Sequence, residues 1–523
     1  MKLLLNPLNV RLSAAFAFAL ILGAAKVAAT QEASVPTTPL TLEAALRIAE
    51  ARSEAIAGAR AGVARAEGEQ VRARSALFPQ LSASVSYDRA LASEFEGLFD
   101  GVDAPEGFPS DLPFGREHTW RLNLLFSQNL FSGGRIGAQR SVADATKAAA
   151  DINFTITRAQ LLFDVTQAYY DAALSERLVA IAEATLEQAE ATVRQVSAAF
   201  RAGMQPEFEL LRAQVTRDNL VPTLIRQRAN RELAWIRLKQ LLDLPADADL
   251  ELAVSLEDAS PPLPFAARVA EIEARARERD RAAALVGADV PLPDRAPVAD
   301  AETAVRLREA ALAAVKAERM PSISLNSSYG RVGYPDSGVP ELDRLNWSVG
   351  VSMTVPVLTG GRLRGDEMVA RAELEQTRAR LQAVKELAAV DTRSAWAELL
   401  AALAAWDATG GTVEQAQRAH EIALVRYRAG VSTQLELSDA RLLLQQAEAN
   451  RARAARDLQV ARARVALLPE LPLGTVGTPS QAPAVPTPSA PAAPAQPSEG
   501  TRLRSVNTAG QGAAPAPGMG GPL

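Results

Sequence analysis

The chain is written twice, and that duplication constrains its fold more than any other feature. Leu130-Phe131-Ser132-Gly133-Gly134-Arg135 recurs as Val357-Leu358-Thr359-Gly360-Gly361-Arg362, 227 positions later. Phe200-Arg201-Ala202-Gly203 recurs as Tyr427-Arg428-Ala429-Gly430 at the same separation. Upstream, Leu77-Phe78-Pro79-Gln80-Leu81-Ser82 resembles Arg319-Met320-Pro321-Ser322-Ile323-Ser324 at a separation of 242. So long a period is not that of a solenoid. It marks an internal duplication whose halves build one structure or one ring.

Each half carries the same elements in the same order. A helix comes first, over about 42–77 and again over about 299–319, and Pro79 and Pro321 end the two copies. An alternating strand follows. Leu81, Ala83, Val85 and Tyr87 face one way and Ser82, Ser84 and Ser86 the other; in the second half Ile323, Leu325 and Tyr329 oppose Ser324, Asn326 and Ser328. Loops at 88–117 and 330–345 lead to second strands. In these, Trp120, Leu122, Leu124 and Phe126 alternate with Arg121, Asn123 and Ser127, and Trp347, Val349, Val351, Met353 and Val355 alternate with Ser348, Gly350, Ser352 and Thr354. Leu125 is the one exception.

Proline-free segments over 137–202 and 364–429 then predict helices of roughly 100 Å each. Helices this long need lateral support from other helices. Gly410-Gly411 offers a kink in the second. Gly203 and Gly430 stop the two helices. Return helices run over 206–242, with Pro222 kinking the first, and over 434–468. The return helix over 206–242 and the first helix over 42–77, stacked end to end, are close to one long helix in length, so the two halves together yield four helical staves.

Composition narrows the chemistry. No cysteine is present, so a disulfide framework, a thiolate nucleophile, a Cys-ligated metal and a lipidated N-terminal cysteine are all excluded. Two histidines, His118 and His420, leave almost nothing for a histidine metal site or triad. The net charge of −5 argues against a nucleic-acid partner. No metalloprotease, Walker-type or serine-hydrolase motif occurs, and the Gly-Gly-Arg segments read as strand-to-helix corners. Lys2 and Arg11 flank an apolar run from Leu12 to Ala25, and Val27-Ala28-Ala29 supplies a small-residue cleavage site, so residues 1–29 read as a secretory signal peptide. No later stretch approaches 18 apolar residues, so a membrane-spanning mature chain would have to use strands. Residues 246–298 read as an inter-repeat side domain between repeats at 40–245 and 299–470, and the Pro/Ala/Gly-rich 471–523 reads as disordered.

Four strands cannot close a barrel with a lumen, and an open sheet in lipid would leave its edges unpaired, so closure requires several chains. The serine faces suit a watery lumen and the Leu/Val/Trp faces suit lipid; a small sheet capping a soluble helical bundle is the alternative.

The order helix, Pro, strand, loop, strand, Gly-Gly-Arg, long helix, (Phe/Tyr)-Arg-Ala-Gly turn and return helix resembles the TolC family of outer-membrane channel proteins. That resemblance implies an α+β membrane protein, a homotrimer whose twelve-stranded β-barrel continues into a long periplasmic α-helical barrel. It implies a passive exit duct of a tripartite efflux pump or type I secretion system, with no cofactor, partnered by a periplasmic adaptor, an inner-membrane pump and outer-membrane lipid. A periplasm-spanning structural coiled-coil protein without channel activity is the competing reading.

The resemblance also implies site residues. Glu436 and Asp439, six and nine residues past Gly430, match the acids that ring the family's periplasmic entrance; their counterparts in the first half are Glu209 and Arg212. They also fit an ordinary exposed helix start with acids near the positive dipole end. Tyr427 matches the latch tyrosine and Glu209 its acid. Ser432 stands where a second latch has a basic residue. Arg201, Gly203, Met204, Arg428, Gly430 and Val431 match the tips that meet an adaptor; the simpler reading is that the two glycines only make the turns.

Overall fold

The computed structural model describes residues 39–92, 117–253, 294–335 and 342–474, with scattered positions over 256–274 and Pro340. The signal peptide expected at 1–29 and the tail beyond Gly474 lie outside the described residues. So do most of the first expected loop and much of the inter-repeat segment.

The first expected helix is two. α1 (Leu42–Arg52) and α2 (Glu54–Ser75) are separated by Ser53. Its ψ of 125° leaves the helical region, and its hydroxyl accepts from the Ile56 N–H at 3.4 Å, capping α2. Nothing apolar in the sequence marks this break, which the expected single helix missed. Strands β1 (Gln80–Arg89) and β2 (His118–Phe131) follow, then α3 (Arg135–Arg201) and α4 (Glu207–Leu241). The second half supplies α5 (Ala296–Ala317), β3 (Ser322–Gly333), β4 (Arg344–Thr354), α6 (Arg362–Arg428) and α7 (Gln434–Leu467). The two long helices have 67 residues each. Both start from paired left-handed glycines: φ is 62° and 91° at Gly133 and Gly134, and 58° and 89° at Gly360 and Gly361. Only glycine adopts two such residues in succession without strain.

Pro222 sits inside an uninterrupted α4, and Gly410-Gly411 inside an uninterrupted α6, so neither of the expected kinks breaks its helix. Gly410 instead makes room for Arg451 of α7, whose guanidinium lies over the Trp406 ring; a Cβ on Gly410 would stand 3.4 Å from it.

The end-to-end stacking of short helices is visible in the packing. Leu238 and Leu242 at the end of α4 share one buried cluster with Leu42 and Leu46 of α1, against Val165 and Tyr169 of α3. Tyr169 donates from its hydroxyl to the Leu40 carbonyl at 2.9 Å. In the second half the Ala296 N–H donates to the Pro469 carbonyl at 2.7 Å, joining α7 to α5 beside α6. There the Arg295 guanidinium meets Asp391 at 2.8 Å, with side chains 1% and 3% exposed. Asp391 also accepts from Arg464. Part of the inter-repeat segment docks on the same region: Glu273 pairs with Arg462 at 2.6 Å, both buried, and Leu252 bridges to Leu40. Leu471 is buried here too, so packing runs past the expected start of the tail.

The strands form one antiparallel sheet in the order β1-β2-β3-β4. Leu124 opposes Ala83 on one side and Tyr329 on the other, and Ser328 opposes Ser348. The register leaves Leu81, Val85, Leu122, Val349, Val351 and Met353 on one face and Ser82, Ser84, Asn123, Asn326, Ser348 and Ser352 on the other. On the polar face Ser324 and Ser352 bond at 2.8 Å, and Asn326 donates to both. Tyr87 packs on Trp120 at 4.9 Å and Tyr329 on Trp347 at 6.3 Å, both pairs at the loop ends of the strands. Among the described residues of one chain, β1 and β4 each have one edge without a strand neighbour. No helix among the described residues is long and apolar enough to cross a membrane.

Candidate functional site

The candidate site lies where α3 turns into α4 and α6 turns into α7. The two turns are built alike. The Gly203 N–H bonds to the Phe200 carbonyl and the Met204 N–H to the Ala199 carbonyl, both at 2.9 Å. Gly430 and Val431 repeat the pattern to Tyr427 and Arg426, both at 3.0 Å. This is the paired-bond glycine stop, and φ of 76° at Gly203 and 72° at Gly430 completes it. The backbone pattern leaves the next side chain projecting: Met204 is 73% exposed and Val431 70%. Arg201 and Arg428 end their helices, Arg201 bonding back to Ser197. The α7 turn is capped by the Thr433 hydroxyl, which accepts from the Glu436 N–H at 3.3 Å.

The two hairpins meet at Glu209. Gln434, buried at the first position of α7, donates its amide to Glu209 Oε2 at 2.7 Å and to the Glu209 carbonyl at 3.1 Å, in the amide orientation that satisfies both of its polar atoms. Glu209 also pairs with Arg212 at 3.6 Å. Tyr427 packs with Ala423, Leu437 and Ala440. Burial raises the pKa of its phenol, and the nearby Glu209 charge raises it further, so it stays a neutral hydrogen-bond donor. Tyr427 lies within electrostatic range of Glu209, and the hydrogen bonds to the acid come from Gln434.

Glu436 pairs with Arg426 across the turn at 2.8 Å, so half of the expected acid pair carries its own counterion. Asp439 lies three residues on along α7. The sequence reading missed both Gln434 and Arg426. Arg426 was findable, because 426 and 436 are equidistant from Val431 at the turn and an antiparallel hairpin sets such positions opposite. Gln434 carried no signal, since a polar first residue is ordinary in any helix. Phe208, Leu211 and Leu435 add exposed apolar surface beside Met204 and Val431 at the tips. Among the described residues, no group of three or more His, Cys, Asp or Glu is placed to hold a metal ion.

A family model described as "Outer membrane efflux protein" matches residues 45–243 and 292–468. No curated protein matches the chain by sequence. The fold is similar to that of the outer membrane protein VceC from Vibrio cholerae, at 18% identity and TM-score 0.64 over 82% of this chain and 95% of that one. It is similar to the Campylobacter jejuni CmeC outer membrane channel, at 16% identity and TM-score 0.65 over 82% and 86%. It is also similar to the open state of the Neisseria gonorrhoeae MtrE outer membrane channel, at 20% identity and TM-score 0.62 over 83% and 89%.

Proposed function

The chain belongs to the outer membrane efflux protein family, and from that premise we propose that it is the passive outer-membrane exit duct of a tripartite efflux pump or type I secretion system, gated at its periplasmic helix tips. Members of this family are outer-membrane channels, and this chain is a channel protein rather than an enzyme. In the proposed duct three copies assemble, the sheets closing into a barrel and the staves into a periplasmic wall.

The observation that supports gating most is the junction of the two hairpins at Glu209. One half-buried acid accepts from Gln434 and lies within electrostatic range of the neutral phenol of Tyr427. Such a junction holds the α6–α7 tip against the α3–α4 tip, and breaking it frees the tip to swing outward. Glu436 and Asp439, multiplied by three copies, place carboxylates around the entrance and favour cations. Arg426 offsets part of that charge and so lowers the repulsion that a closed ring must overcome. The exposed tip residues Arg201, Gly203, Met204, Arg428, Gly430 and Val431, with Phe208 and Leu435 beside them, supply an apolar and basic surface for a periplasmic adaptor. The chain carries no nucleotide-binding motif, so an inner-membrane pump supplies the energy.

Purified protein in planar lipid bilayers tests this reading. Wild type conducts weakly, and Tyr427→Phe combined with Glu209→Ala raises the conductance several-fold. Absence of conductance in both proteins, in detergent-stable trimers, would favour the structural coiled-coil reading.

A further inference from the structure

We propose that a cleft between α3, α6 and α7 binds a small zwitterion with an apolar body, an amino acid or dipeptide, its carboxylate on Arg451 and its ammonium on Glu448. The site is separate from the helix tips. Trp406, Gly410 and Val413 of its wall precede Gly430 by 17 or more positions (430 − 413 = 17), roughly 25 Å along α6.

The cleft has a volume of about 370 Å³, at the small end of the roughly 300–1,000 Å³ that ligand sites occupy. Trp406, Val413 and Leu256 give it apolar walls, and Glu448 and Arg451 of α7 are its acid and one of its bases. Gly410 lines it too. A Cβ there would stand 3.4 Å from the Arg451 guanidinium, so the glycine leaves that group its place.

The first half of the chain shows that the fold does not require this cleft. At the repeat separation of 227, Trp406, Thr409, Val413 and Arg451 correspond to Val179, Ala182, Leu186 and Leu224. There Val179, Ala182 and Leu224 are a buried apolar cluster with Leu186 packed against it. Glu448 corresponds to Val221. Gly410 corresponds to Glu183, which pairs with Arg228 at 2.8 Å. The second half therefore carries an acid and a base where the first carries two aliphatic side chains, and no side chain beside the base. A charge in place of a packed leucine loses stability unless a partner compensates its desolvation.

The acid and the base do not neutralise each other. Glu448 and Arg451 are three positions apart on α7, a spacing at which opposite charges can pair. Arg451 instead lies over the Trp406 ring and donates to the Trp406 carbonyl and, at 3.3 Å, to the Thr409 hydroxyl. Among the described residues neither Arg451 nor Glu448 forms an ion pair. Burial lowers the pKa of Arg451, with the Asp407 charge opposing, so the guanidinium is short of counter-charge. A cation and an acid one helical turn apart, each without an ionic partner and both beside apolar walls, match the two ends and the body of a zwitterion.

Isothermal titration calorimetry on the purified full-length protein in detergent tests this, with leucyl-leucine as the probe beside its N-acetyl and C-amide forms. We expect saturable binding of leucyl-leucine and roughly ten-fold weaker binding of each blocked form, since each loses one charge-assisted hydrogen bond. The variant Arg451→Leu, Glu448→Val takes the residues that the first half carries at these positions. Its circular dichroism spectrum should match the wild type, and its binding should be lost. No saturable binding by the wild type at millimolar dipeptide, or equal binding of the blocked forms, overturns the zwitterion site. Binding that survives in the double variant overturns its placement in this cleft.

Discussion

At the residue scale, two of the buried side chains with an unpartnered nitrogen lie within electrostatic range of each other below the tips. His420 on α6 is buried with Nε2 unpartnered, and Arg441 on α7 is buried with Nε unpartnered, its terminal nitrogen donating to Thr192 of α3 at 3.0 Å. Burial, and then the Arg441 charge, lower the pKa of His420, with Glu421 opposing. The folded state thus resists protonating this ring while the unfolded state accepts a proton near pH 6.5. As the pH falls through that value, the stability that neutral His420 contributes is lost. Hydrogen-exchange protection factors around 416–424 and 437–445 should fall several-fold between pH 7.5 and 5.5, and His420→Gln should abolish the fall. Protection that stays constant in the wild type would refute this. His420 was legible in the sequence only as a residue on a helix. Its burial beside the Arg441 cation depends on which face α7 covers, and no pattern along α6 alone reports that.

At the element scale, two helix abutments are fastened differently. The α4–α1 junction is apolar, through Leu238, Leu242, Leu42 and Leu46. The α7–α5 junction is ionic, with Asp391 held between Arg295 and Arg464. Removing one partner of a buried pair leaves the other charge unpaired at a cost of about 3 to 5 kcal/mol. Asp391→Asn should therefore lower unfolding stability by about 3 kcal/mol in denaturant melts followed by tryptophan fluorescence. The double variant Arg295→Met, Asp391→Leu should recover most of that loss. An unaffected Asp391→Asn would remove the ionic fastening from the account. Most elements here were legible, because prolines, paired glycines and period-two alternation mark their ends and faces. The break at Ser53 was not, since a serine inside an alanine-rich helix reads the same whether it caps or continues. The role of Gly410 was not legible for a related reason: glycine marks either a kink or a close approach, and the neighbour it makes room for, Arg451, lies 41 positions away.

At the scale of the whole molecule, the duplication explains how one chain builds so large a surface with so little core. Helices lined by alanine approach closely, and each half supplies the partner that the other half needs. Single-chain packing leaves β1, β4 and one face of α6 unsatisfied, which is what a segment of a closed wall should leave. In the proposed duct the central property is a water-filled path whose narrowest point carries Glu436 and Asp439. The most direct test is the reversal potential of single channels in a tenfold potassium chloride gradient. The account predicts a potential of the sign for cation selectivity, shifting towards zero in the variant Glu436→Gln, Asp439→Asn. An anion-selective wild type, or a potential unchanged in that variant, would contradict it.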